Sequence, residues 1–401
     1  MKNFFKNGFY VIDLLYCTNI HNGEFWKDIL YVLKFHSRKL RNILLNYDAF
    51  GIGLRISNFA VLDLNKFSYI LELKKWLMCN NFYIKSLNGF PYGFFSSNYI
   101  KDDVYFPNWS NFNRYLYTRR LILFFSVILG KYNNGGISTV PISYKYFVYN
   151  FIYNNVYIKS VKYLCNLIIL LFNVYFNKKI LLHLDVEPEP DCVVSNTSDF
   201  IFFFKKWLIS RCEIYLVLFF PFYKKNVIFS IFDYIKICFD FCHSAVQFET
   251  LKQSFNSIFI FDVNFGKFQI SSALKLDLKF YNNINIFSYL PETPYVHQVI
   301  GNTFYGDIIT YKDISLSFLF LYKKNFMEYR VHYHVPIFLE FYGIFESTQK
   351  YIIDIINFIK NKKGNFLFEI ETYTFDILPC YLKLNVLYSL KREYEWLLKK
   401  L

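Results

Sequence analysis

Four carboxylates spaced two apart, Asp185, Glu187, Glu189 and Asp191, close the stretch LLHLDVEPEPDC at 181–192. Residues two apart share a face of an extended chain, and like charges on one face repel unless water or a cation offsets them. Pro188 and Pro190 end the strand ladder and break the alternation, which leaves Glu187 at the rim and puts Glu189 and Asp191 in the following loop. Asp185 lies one layer deeper, on the face of Glu187, with no partner that the sequence names. Comparable endings recur downstream: FDFCH supplies Asp240 and, three residues on, His243; KFQISS supplies Gln269; FEIET supplies Glu369 and Glu371. Carboxylates with a neutral amide make a hard, oxygen-rich donor set that suits Mn, Mg or Co better than a thiolate-bound zinc does. The competing reading is that these acids cap neighbouring helices or stay solvated.

Histidines add to this set. His21 follows the first strand in YCTNIHNGE, His297 sits in YVHQV, and His332 and His334 form an H-x-H in RVHYHVP. On a strand, H-x-H puts both rings on one face, a geometry used for metals; the rival reading, a polar wall that hydrogen-bonds a substrate, is preferred for this pair. His36 lies among lysines and arginines and reads as surface. The loop LNGFPYGFF, 87–95, offers the Asn88 amide at a strand end beside Phe90 and Tyr92, a combination that suits a sugar-like ligand as well as it suits a plugged turn. GxGxxG, P-loop and GxSxG motifs are absent, so dinucleotide, ATP-loop and serine-hydrolase chemistry have no support.

The elements that must position these residues alternate. Strands are expected at 11–17, 50–56, 82–88, 136–142, 179–187, 236–242, 266–272 and 365–372. Helices are expected at about 24–45, 66–80, 111–129 and 144–176, then from Thr197 or Ser198 as N-cap, and finally at 383–401. Eight strand–helix alternations in 401 residues favour a single (β/α)8 TIM barrel, with a doubly wound sheet as the alternative. Extra β-like runs mark 273–344 as a β-rich insertion between strand seven and its helix. In such a barrel the active face is the C-terminal end of the strands, where the acids and histidines fall.

Composition narrows the partners. A hydrophobic share of 54%, with 50 Phe and 36 Tyr, supplies a large core. The formal charge of +14 points toward nucleic acid, but the lysines are scattered on helix faces, with no Arg-rich block, and read as solvated. The eight cysteines form no CxxC and read as reduced, buried thiols. The apolar run at 163–176 is short for a membrane span and contains two asparagines, so a buried helix of a soluble protein is expected. No signal peptide is evident.

Read together and in this order, LLYCTNIHNGE, LNGFPYG with VYFPNW, GISTVPI, LDVEPEPDCVVSNTSD, CFDFCHSAVQFE, KFQISSALK, YRVHYHVPIF and EIETYTFDILP resemble the metabolite traffic protein EboE family. That family belongs to the xylose-isomerase-like TIM-barrel superfamily. The resemblance spans roughly 14–379 and implies a metal-dependent barrel of the sugar isomerase or epimerase kind, tied to processing or traffic of a secondary-metabolite precursor. It implies Glu187, Asp240, Gln269 and Glu371 as ligands of a divalent Mn, Mg, Co or Zn ion, with Glu369 as the competing choice on strand eight. Glu187 and Glu371 would exchange a proton as base and acid, and His243 would contact a small polyhydroxylated substrate, with Asn88, His21, His332 and His334 as further substrate contacts. Gln269 departs from the histidine that many superfamily isomerases carry, and FFSSN lacks the histidine expected after FPYG. The cluster's occurrence in bacteria and algal plastids, with the Phe/Tyr/Asn/Lys bias, points to a plastid or bacterial cytoplasm. Two rivals remain: a metabolite carrier that kept the barrel without the chemistry, and, last, an abasic-site endonuclease relative.

Overall fold

The computed structural model describes residues 10–44, 48–64, 66–93, 101–131, 133–148, 153–219, 231–278, 290, 296–314, 326–378 and 382–401. The FFSSN segment and Cys380 lie outside them. Strands β1 (Tyr10–Cys17), β2 (Phe50–Arg55), β3 (Phe82–Asn88), β4 (Asn134–Thr139), β5 (Leu181–Val186), β6 (Ile235–Asp240) and β7 (Phe265–Ile270) pair in parallel with their neighbours. Six shorter or inserted strands follow: β8 (Ser272–Asp277), β9 (Val299–Thr303), β10 (Ile308–Tyr311), β11 (Phe326–Val335), β12 (Phe341–Tyr342) and β13 (Phe345–Ser347). Strand β14 (Gly364–Ile370) then lies between β7 and β1 and closes an eight-stranded barrel. The fold is the (β/α)8 barrel expected from the alternation.

Period-two sequence builds the barrel wall. Leu182, Leu184 and Val186 of β5 point outward into the helix layer, as do Ile12 and Leu14, Ile235 and Ile237, and Phe368 and Ile370. The intervening positions turn inward, and here they are unusually polar. The Asp185 side chain pairs with His183 Nδ1 at 2.5 Å, two residues back on the same face. Space for it exists because β7 carries Gly266, where a Cβ would run into the Asp185 carboxylate. One layer higher, Lys267 and Glu369 form an ion pair of 3.1 Å with both side chains fully buried. Gly53 clears the room for the Glu369 carboxylate in the same way.

Strands β8 to β13 form a six-stranded antiparallel sheet, in the order β10-β9-β11-β8-β13-β12, with its own core of Leu274, Leu276, Tyr329, Val331 and Tyr333. It leaves β7 after one residue, Ser271, and ends just before the helix Gln349–Lys360. The sheet is therefore rooted at the C-terminal mouth of the barrel.

Local details differ from the sequence expectations. Strands β4 and β6 stop two or three residues early; the chain after Asp240 turns directly into the helix Phe241–Val246, because the Asp240 side chain accepts from His243 N and caps it. The helix Thr197–Phe202 is capped by Asn196, whose Oδ1 accepts from Asp199 N at 2.9 Å, rather than by Thr197 or Ser198. The helix Asn154–Lys178 is long and apolar enough to cross a membrane, and its Val161, Leu164, Leu167, Ile168 and Leu171 are built into the barrel's core. The reading of every cysteine as a reduced, buried thiol needs correcting. Cys165 and Cys212 face each other across the helices Tyr153–Lys178 and Ser210–Phe219 and are joined as a disulfide, and Cys79 is exposed.

The C-terminal helix Val386–Lys400 locks the barrel to the inserted sheet through Glu393. Its Oε1 accepts from Thr372 Oγ1 at 2.7 Å and from Ile337 N at 3.2 Å, while Oε2 has no partner. Burial pushes this carboxyl up to about 8. A raised acid contributes its full share of stability below its ordinary value and loses it as pH rises through the folded one. Between about pH 5 and pH 8 this single group should withdraw on the order of 3–5 kcal/mol. Glu393→Gln, which keeps the accepting oxygen, should therefore gain stability over the parent across that window, as read by urea unfolding. An equal difference at both ends of the window would rule this out.

Candidate metal centre

Each acid at the barrel mouth is fixed by the element that carries it. Glu187 is the first residue past β5, its N–H held by Thr139 O at 3.1 Å. The following Pro-Glu-Pro-Asp turn is closed by Glu189 N on Val194 O at 3.2 Å and tied to the segment after β4 by Val193 N on Ser143 O at 2.8 Å. Asp191 takes a positive φ of 62° to make that turn. Asp240 uses Oδ1 for the helix cap, at 2.9 Å from His243 N. Glu371 follows β14, and its Oε1 accepts from Asn19 Nδ2.

Glu187, Asp240 and Glu371 each bring a carboxylate oxygen within 4.8 Å of the other two. On each, one oxygen, Glu187 Oε2, Asp240 Oδ2 or Glu371 Oε2, is buried without a hydrogen-bond partner. Three buried carboxylates that converge from three strand ends, each with an unpartnered oxygen, make a costly arrangement that a divalent cation relieves, and hard oxygen donors fit Mn, Mg, Co or Zn. The donor set therefore fits the implied metal. Gln269 lies on β7, in register with Asp240 on one side and Glu369 on the other, and lines the same cavity. Its Oε1 accepts from Cys238 Sγ.

Electrostatics follow from this crowding. Burial, then Glu371 and Asp240, hold the Glu187 carboxyl well above the ordinary carboxylate range. Burial, reinforced by Asp240, pushes Glu371 up to about 8, against the pull of Lys267. Burial also raises Asp240, and it lifts Glu189 to about 8 although the Tyr105 hydroxyl, 2.7 Å away, stabilises the anion. Burial drives the nearby imidazoles the other way: His243 falls to about 3, and His297 and His334 to about 4. Without a cation, burial thus disfavours the charged form of these acids and rings alike.

A cavity lies above these groups and opens to solvent. One wall is Phe90, Pro91 and Tyr105; the other comes from the inserted sheet, which delivers His297, His332 and His334. A register shift between Val331 and Val335 turns the H-x-H of β11 toward the barrel. The two rings point to the same place as His243, whose Nε2 lies 3.2 Å from His334 Nε2.

Two expected substrate contacts lie elsewhere. Asn88 is taken up in the layer below, donating to Glu369 Oε1 at 2.5 Å and accepting from Lys267 Nζ. His21 pairs with the Tyr16 hydroxyl and stacks on His36 at 4.2 Å, so its ring is committed outside the cavity wall. Glu369, paired with Lys267, sits beneath the rim that Glu371 occupies. Sequence reasoning missed Asn19, Tyr105 and Glu189 as cavity groups. Glu189 was findable, being two residues from Glu187; the prolines that argued against it instead shape the turn that returns it to the wall.

No protein-family model matches the chain, and no curated protein matches it. Among solved structures, it is similar to the IolI protein with a binding zinc atom, at 10% identity and a TM-score of 0.49, covering 96% of this chain and 97% of that one. It is also similar to L-ribulose 3-epimerase, at 9% identity, TM-score 0.48, and 96% and 93% coverage. A third likeness is to a xylose isomerase domain protein from Alicyclobacillus acidocaldarius subsp. acidocaldarius, at 7% identity, TM-score 0.46, and 97% and 98% coverage.

Proposed function

We propose that this chain is a divalent-metal-dependent isomerase or epimerase of a sugar-like metabolite, a xylose-isomerase-like barrel of the EboE kind acting on a secondary-metabolite precursor in a bacterial cytoplasm or plastid. The observation that carries this reading is the triad Glu187, Asp240 and Glu371, each with one buried, unpartnered oxygen. The resemblance of the sequence motifs to the EboE family is what suggests the rest. Glu187, Asp240, Gln269 and Glu371 would hold the ion, which supplies Lewis-acid polarisation of a carbonyl and its neighbouring hydroxyl.

The chain's own groups then do the proton work. Two carboxylates on one cavity can serve as the base and acid of such an exchange. Asn19 fixes the orientation of the Glu371 carboxylate, which would take a proton from the substrate carbon. Glu187, facing it, returns a proton to the other face. Phe90 and Tyr105 wall one side of the cavity, opposite the inserted sheet.

This reading predicts that the Mn-loaded protein, incubated in deuterated water with a panel of ketoses and related polyols, exchanges a carbon-bound hydrogen next to the carbonyl, followed by proton NMR. Metal binding with no exchange in any candidate would favour the carrier instead.

A further inference from the structure

We propose that His243, His332 and His334 form a second divalent-cation site, of the imidazole-built kind that zinc takes, beside the carboxylate centre. This goes beyond the reading above and replaces direct substrate contact as the role of the three rings. The protonation of each ring follows from what its Nδ1 touches. His243 Nδ1 lies 3.0 Å from Pro188 O, a carbonyl that only accepts, so Nδ1 carries the hydrogen. His332 Nδ1 lies 2.6 Å from Gln298 Oε1. The orientation of that amide is fixed because Gln298 Nε2 reaches Pro190 O at 3.3 Å and the Tyr105 hydroxyl at 3.2 Å. His334 Nδ1 lies 3.2 Å from Glu371 O, again a pure acceptor, with Ser271 Oγ at 2.9 Å. His243 and His332 therefore present a bare Nε2, and His334 does so with its Nδ1 donating to Glu371 O and Ser271 Oγ accepting.

Those bare nitrogens face one another. His334 Nε2 is 3.2 Å from His243 Nε2 and 3.0 Å from His332 Nε2. With each Nδ1 donating to its carbonyl, the facing Nε2 lone pairs repel at that range. Zinc bound at about 2.0–2.1 Å in a tetrahedral shell sets its nitrogen ligands about 3.3 Å apart, close to what is found. Metal-bound histidines also characteristically donate their second ring N–H to a carbonyl or carboxylate, as all three do here. A carboxylate is at hand on either side: Asp240 lies within 4.8 Å of His243 and His334, and Glu189 within 4.8 Å of His243 and His332. Asp240 belongs to the carboxylate triad as well, so its carboxylate is within reach of both positions. Paired metals of this kind clamp both oxygens of a reacting group.

The test is zinc loading of the full chain, followed by dialysis, elemental analysis and X-ray absorption at the zinc edge. The expected result is roughly two zinc ions per chain, with imidazole scattering in the spectrum. His334→Gln or His332→Gln should lose one of the two, together with most of that scattering. Glu187→Gln combined with Glu371→Gln should keep the imidazole-bound ion and lose the other. A zinc spectrum of the unsubstituted chain without imidazole would overturn the proposal even if the histidine variants failed to fold. So would a stoichiometry that the histidine substitutions leave unchanged. A single ion bound by imidazole alone would uphold this site and count against the carboxylate centre.

Discussion

Lys267→Met should destabilise the fold by about 3–5 kcal/mol, the cost of leaving a buried carboxylate without its cation. Lys267 and Glu369 are both fully buried, 3.1 Å apart, with Asn88 bonded to each. Burial alone would pull Lys267 down, but the Glu369 carboxylate carries it well above its ordinary value. Burial likewise works against the Glu369 anion, and Lys267 with the Asn88 amide outweighs it, so its carboxyl stays below the usual range. Without the lysine, Glu369 rises above its unfolded value, and the variant should lose further ground as pH increases. Combining Lys267→Met with Glu369→Gln should restore most of the loss, because the pair is then removed together. Urea unfolding measures all three; a single variant within about 1 kcal/mol of the parent would contradict the assignment. Lys267 also favours ionisation of Glu187, Asp240 and Glu371, so the same substitution should weaken cation binding at the rim.

The second large effect is chemical. Glu371→Gln should slow hydrogen exchange by about 10²–10⁴-fold at saturating Mn, the range for losing a positioned acid or base. The amide retains an oxygen for Asn19 Nδ2 to bond but cannot accept the substrate proton. Thermal unfolding should stay close to that of the parent, which separates a chemical from a structural loss. Glu369→Gln provides the contrast, since its carboxylate serves Lys267 in the layer below and should act first on stability. Full exchange activity in Glu371→Gln would remove Glu371 from the proton path.

Much of this site was legible because strand-end chemistry survives uncertain strand boundaries. The acids after β5, β6 and β14 stand at one rim whether β6 ends at Asp240 or two residues later. Period-two spacing also put Asp185 on the Glu187 face; its partner proved to be His183, an inward residue of the same strand. What could not be read was how the inserted sheet folds back. H-x-H fixes a shared face within β11, but the register shift and the β8 pairing that turn it onto the barrel mouth depend on contacts between residues 50 or more apart. Asn88 and His21 failed for a related reason. Their types suit ligand contact, yet an interior polar layer and a Tyr16–His36 cluster, both long-range products of the fold, claim their polar atoms first.

The most direct test of the central claim is Mn titration of the purified chain, with free ion followed by electron paramagnetic resonance. The parent should bind Mn at the carboxylate centre. Asp240→Asn, which keeps an oxygen to cap His243 N, should weaken that binding by at least about 10–100-fold, because it withdraws a charged ligand. Unchanged Mn binding in Asp240→Asn, or no binding in the parent, would contradict a cation held by Glu187, Asp240 and Glu371.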